Sequence, residues 1–135
     1  MRHALRFACL VVSLAGWIVG VLVILFLVFD STIKLVRLEP AVAGTVELGY
    51  PAGIVFWLGL ILIVCTVLYA VPRTAVLGAI LLTGYLGGAT ATQVRVESPS
   101  FWFPVLLGVL AWAGLYLRDA RLRSLIPSRR IQSRG

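Results

Sequence analysis

The chain has 135 residues, 61% hydrophobic and 13% charged, with a formal net charge of +7; an ordinary soluble domain is about 45–50% apolar and about 25% charged. Its charged residues leave four uncharged runs, 7–29, 48–72, 74–94 and 98–117, of 23, 25, 21 and 20 residues. Too little chain lies outside them for a soluble catalytic domain, a nucleotide-binding domain or a zinc module, and the basic excess has no folded surface on which to hold nucleic acid.

A helix rises about 1.5 Å per residue, so each run can cross a hydrocarbon layer of about 30 Å. The fold expected is all-α: a polytopic membrane protein, a four-transmembrane-helix up-down-up-down bundle with a short outer interfacial helix. Its spans fall at about 7–29, 52–71, 74–94 and 100–117, within a single domain over 1–127 followed by a basic cytoplasmic tail, 128–135. Arg2 and Arg6 precede the first run as they would in a secretion signal. At 23 residues that run is longer than the roughly 7–15 of a signal core, and no small-residue cleavage site follows it, so it reads as a retained span.

The first helix should continue to about Val36, because Asp30 and Lys34 stand four residues apart and can pair on one face. Pro40 suits the first turn of a short helix over 41–48, with Val42 and Val46 toward the membrane, Glu47 toward water, and Gly49 ending it. Pro51 opens span 2. Val71-Pro72-Arg73, with Thr74 as a cap, turns spans 2 and 3 into an antiparallel hairpin. Pro99 opens span 4, Trp102 and Tyr116 sit near its two interfaces, and Arg118, Asp119, Arg121 and Arg123 continue it.

Four spans put both ends on one side. That side carries nine basic residues, among them the topology anchors Arg73, Arg118, Arg121 and Arg123, and the other carries Lys34, Arg37 and Arg95. Basic loops stay inside, so the expected location is the inner membrane, multi-pass, with cytoplasmic N- and C-termini. The inner arginines, Arg118, Arg121 and Arg123 with Arg129, Arg130 and Arg134 after Pro127, can touch anionic headgroups or dock a cytoplasmic partner.

Helices associate in lipid by close backbone approach, which small residues permit. Gly16 and Gly20 form one GxxxG pair, and Gly84 and Gly88, with Gly87, form another. Three uses stay open for them: packing within the chain, pairing in a homo-oligomer, or room for a flat ligand beside span 3.

No catalytic, metal or nucleotide motif is present, and Cys9 and Cys65 stand in no CxxC pattern. A polar group collects at the outer end: Asp30 and Lys34 at the mouth of span 1, Glu47 before span 2, and Gln93, Arg95 and Glu97 at the end of span 3, with Tyr85 about 12 Å deeper by the helix rise. Ionisable groups near hydrocarbon are costly unless paired or wet, so their convergence would make a candidate ligand cluster, of which Asp30, Lys34, Tyr85, Gln93 and Arg95 are the members chosen. Thr83, Thr90 and Thr92 can satisfy their hydroxyls on their own helix. Few polar groups stand at mid-depth in spans 2 and 4, so a small transporter or channel would need an oligomer to line its path.

The strings FDSTIKL (29–35), ELGYP (47–51), LYAVPRTAVLGAILLTGYLGGATATQVRV (68–96) and GLYLRDARLRSLIP (114–127) resemble the DoxX-like family of small bacterial four-helix membrane proteins. The resemblance implies a four-span bundle in the bacterial cytoplasmic membrane, carries over the Asp30/Lys34 pair and Arg95, and links the chain to quinone-dependent redox assemblies. The function it implies is that of an accessory or interaction subunit. Quinone is then the one cofactor to consider, and the partners are the lipid bilayer, membrane redox or other proteins and a second copy of the chain, with no nucleic acid.

Overall fold

A computed structural model describes residues 1–125, apart from the side chains of Arg123 and Leu125. The described residues form six helices and no strand: α1 Arg2–Leu35, α2 Glu39–Glu47, α3 Ile54–Ala70, α4 Ala75–Arg95, α5 Trp102–Arg118 and α6 Ala120–Leu125. The expected tail, 128–135, and the side chain of the anchor Arg123 lie outside the described residues.

α1 packs against α3 and α5, and α4 packs against the same two helices from the other side. Registers along α1 show both neighbours running antiparallel to it. Gly16 is level with Leu117 and Arg118, Gly20 with Tyr69, and Gly59 with Ser31 and Lys34. α1 therefore runs past the end of α5 by about fourteen residues, or about 21 Å. Residues 1–12 are all exposed there, although Leu5, Phe7 and Leu10 are large and apolar. Two helices, α1 and α4, are long and apolar enough to cross a membrane; α3 and α5 have 17 residues each, about 25 Å of rise.

α1 ends at Leu35 with Val36 as its cap and α2 closes at Gly49, as the sequence pattern predicts, but the way the helices close is only partly visible in it. α1, α2 and α4 each close with a doubled turn in which the residue after the cap enters the left-handed region, at Arg37 (φ 58), Gly49 (φ 89) and Glu97 (φ 54). The paired bonds in the first are Arg37 N–H to Lys34 O at 3.1 Å and Leu38 N–H to Ile33 O at 3.0 Å, which satisfy carbonyls the helix leaves free. Only Gly49 announces itself in sequence. Thr74 stands at the start of α4 without capping it: its hydroxyl donates to Leu68 O at 2.8 Å and so pins the α3–α4 turn. Contrary to expectation, α5 does not continue through Arg123. Backbone at Asp119 turns to φ −109, ψ 107, and Asp119 Oδ1 accepts from Arg121 N–H at 2.9 Å, so a carboxylate caps a new short helix.

The interior is built from small and hydroxyl residues as well as aliphatic ones. Gly16, Gly20, Gly59, Gly78, Ala79, Ala111 and Gly114 are buried beside Leu27, Leu62, Leu82 and Leu115. Ser31 and Thr66 are buried too, each donating to the carbonyl four residues earlier, Leu27 O at 2.8 Å and Leu62 O at 2.7 Å. Leu22, Leu25, Trp57, Ile61, Ile80 and Val109 face outward. Small residues inside and large apolar ones outside invert the order of a water-soluble helical protein.

Candidate functional site

At the end of the molecule that carries α2, the helices part around a cavity of about 690 Å³. All five longer elements contribute: Leu27 and Lys34 from α1, Thr45 from α2, Leu62 from α3, Tyr85 and Gln93 from α4, Leu107 from α5. The walls are largely apolar, with hydroxyls at Thr45, Tyr50, Thr92, Ser98 and Ser100 and one charged pair. Lys34 Nζ donates to Asp30 Oδ2 at 2.6 Å, along one helical turn, and to Tyr85 Oη at 3.1 Å across the cavity. Both charged side chains are mostly covered, Lys34 at 18% and Asp30 at 28% exposure, so their pairing matters: separated, either charge would face a poorly solvated wall. With its oxygen accepting from Lys34, Tyr85 keeps its own proton to donate.

Gln93 lines the same cavity two turns further along α4 than Tyr85. Its Oε1 is buried and has no hydrogen-bond partner among the described residues, which costs about 1–3 kcal/mol unless something donates to it. Thr92 lines the cavity beside it and shares a 3.0 Å hydrogen bond with Tyr50.

Thus Asp30, Lys34, Tyr85 and Gln93 meet in one cavity, and Arg95 does not join them. Arg95 is exposed and its Nη2 donates to Leu48 O at 3.1 Å. It fastens the end of α2 to the end of α4 and reaches over the cavity's edge without lining it. Glu47 and Glu97 are exposed, and neither lines this cavity. α2 turns Ala41, Gly44 and Thr45 into the cavity and leaves Val46 and Glu47 outward. Thr45 carries no sequence signal beyond its spacing from Ala41, whose carbonyl accepts its hydroxyl at 2.8 Å.

The two GxxxG pairs separate sharply. A Cβ on Gly16 would lie 2.7 Å from Arg118 N, and one on Gly20 would lie 2.8 Å from Arg118 Nη1. At Gly84, Gly87 and Gly88 a Cβ would meet nothing within 4 Å, and Gly84 and Gly88 line the cavity. The close packing within the chain that their spacing allows is therefore absent at these three. It is found instead at Gly59, against Lys34 and Leu35, and at Gly78, against the backbone of Tyr69. Neither of those glycines stands in a GxxxG pattern.

Sequence reasoning also missed Tyr69, which is fully buried and donates to Ala111 O at 2.6 Å. Arg73 and Arg121 are exposed, as anchors can be. Arg118 is half-buried, with Trp17 and Tyr69 rings at 5.0 and 4.9 Å. Thr83, Thr90 and Thr92 each donate to the carbonyl one turn back on their own helix, and Thr83 also accepts from Trp112 Nε1 at 2.7 Å. Among the described residues, no group of three or more His, Cys, Asp or Glu side chains could hold a metal.

Apolar helix faces turned outward, small residues turned inward and a polar-headed cavity between the helices together suggest a membrane protein. The chain belongs to the DoxX-like family, whose sequence model matches residues 18–114. The matched stretch runs from the middle of α1 to the buried Gly114 of α5 and so includes Asp30, Lys34, Tyr85 and Gln93. No curated protein and no solved structure matches the chain.

Proposed function

We propose that the chain is a four-span protein of the bacterial cytoplasmic membrane, termini cytoplasmic, that holds a neutral quinone-type molecule as an accessory subunit of a membrane redox assembly. One observation carries the ligand reading: the charged pair in the wall of the large cavity is saturated, while the Tyr85 proton and, among the described residues, Gln93 Oε1 have no partner. Lys34 is already matched by Asp30, so a further ionic ligand gains little there, whereas a neutral one loses nothing.

The residues fit such a group. Tyr85 can donate to a carbonyl oxygen of the quinone, and Gln93 Oε1, buried and without a partner among the described residues, can accept from a hydroxyl of its quinol form. Gly84 and Gly88 leave open space beside them, which suits a flat ring, and Leu62, Phe103 and Leu107 suit its apolar body. When bound, a quinone supplies electron-carrying chemistry; this chain's residues would hold its polar edge and keep its ring out of lipid. Topology is supported by the distribution of basic residues and by the outward apolar faces of α3 and α5. The accessory role rests on the sequence, which carries no catalytic motif.

The test is an organic extract of the chain purified in mild detergent, separated by chromatography and identified by mass. The expected result is a quinone that co-purifies with the natural chain and falls at least several-fold with Tyr85→Phe or Gln93→Leu. An extract without quinone removes the ligand reading. Turnover of quinone by the purified chain alone removes the accessory one.

A further inference from the structure

At the opposite end of the molecule, Arg118 is placed in a way that marking the cytoplasmic side does not require. It is the last residue of α5, yet its guanidinium lies back along the helix beside Gly20 instead of reaching away. Trp17 and Tyr69 present their rings to it at 5.0 and 4.9 Å. Two aromatic faces fix the plane of a guanidinium and leave its N–H edge available. That edge is poorly used, for its hydrogen bond to Tyr69 O is long, at 3.4 Å.

Among the described residues, no carboxylate pairs with Arg118. Asp119 is the nearest in sequence, and its Oδ1 accepts from the backbone N–H groups of Arg121 and Leu122. A guanidinium has five N–H donors, and one held beside apolar surface without a counter-ion is costly. A cavity of about 280 Å³ adjoins it, lined by Trp17, Leu115, Arg118, Asp119 and Arg121 among others. A second cation thus lines the same space, and so does the Asp119 carboxylate, whose Oδ1 is occupied by backbone N–H groups. Arg73 belongs to the same end but does not line this cavity.

We propose that this cavity binds the phosphate of an anionic phospholipid headgroup, with Arg118 as the main donor, Arg121 as the second, and Trp17 against the first carbons of the lipid. Planar N–H pairs match phosphate oxygens, and the charge of the anion supplies what Arg118 lacks. Free phosphate shares that chemistry. Lipid is favoured because Trp17 both lines the cavity and is 46% exposed, next to outward-facing Leu14 and Ile18; the site is continuous with apolar surface. The inference is independent of the cavity at the other end and of any quinone.

The experiment is the thermal unfolding midpoint of the full chain in mild detergent. Dioleoyl phosphatidylglycerol, dioleoyl phosphatidylcholine or inorganic phosphate is added to the natural chain and to Arg118→Gln, Arg121→Gln and Arg73→Gln. Phosphatidylglycerol should raise the midpoint of the natural chain and of Arg73→Gln by several degrees. The rise should be lost in Arg118→Gln and roughly halved in Arg121→Gln, and the other two additives should leave the midpoint where it was. An equal rise in all four proteins overturns the proposal, as does a loss in Arg73→Gln matching that in Arg121→Gln, which would mean diffuse attraction. An equal rise with inorganic phosphate replaces the lipid by a soluble anion and also overturns it. If Arg118→Gln does not fold, Arg121→Gln against Arg73→Gln decides.

Discussion

Gly16 and Gly20 on α1 and Gly84 and Gly88 on α4 have the same spacing and opposite surroundings. At the first pair α5 comes so close that a Cβ would stand 2.7 Å from the backbone nitrogen of Arg118; at the second there is nothing within 4 Å. One pair therefore brings helices together, and the other leaves a space that Asp30, Lys34, Tyr85 and Gln93 rim. The spacing says that a helix has a smooth strip. Whether that strip meets a helix or a void depends on where the neighbouring helices diverge, and here they diverge at the α2 end.

The contrast can be broken most forcefully at the packed end. Gly16→Val and Gly78→Val place carbons against the backbone of Arg118 and of Tyr69, and overpacking of this kind costs about 1–3 kcal/mol or more. Unfolding in detergent should show a large loss of stability or no folded material. Tyr69→Phe should cost about 1–2 kcal/mol, because Ala111 O loses the donor that a fully buried side chain supplies.

At the open end the effects should be smaller and of mixed sign. Asp30→Asn should destabilise by about 1 kcal/mol by leaving Lys34 without its counter-charge. The double variant Asp30→Asn/Lys34→Gln should recover part of that loss, a coupling that a double-mutant cycle reads directly. Gly84→Ala should be neutral or stabilising by up to about 1 kcal/mol, since alanine is the better helix former and its methyl enters open space. Glu97→Gly should stabilise by about 0.5–1 kcal/mol, because φ 54 at that residue favours glycine.

Much of this architecture is legible in the chain. The uncharged runs locate α1, α3, α4 and α5, the Asp30/Lys34 spacing gives their ion pair, and Pro40 and Gly49 bracket α2 to within two residues. What escapes depends on distance between helices or on a backbone choice with no composition signal. Nothing in the run 7–29 says that α1 enters the packed region only at Gly16. Arg37 and Glu97 take left-handed backbone despite being poor candidates for it, and Arg95, two residues beyond Gln93, falls on the opposite face of α4 from the one that lines the cavity. Tyr69 reads as one more apolar-segment aromatic until Ala111 is seen beside it.

The central claim is that the open end is a ligand site, and filling it tests that claim most directly. A short-tailed benzoquinone titrated into the purified chain should quench intrinsic fluorescence saturably. With Gly84→Leu and Gly88→Leu, whose side chains enter the cavity, saturable quenching should vanish while the unfolding midpoint stays near that of the natural chain. Identical saturation curves for natural and filled proteins would contradict the account.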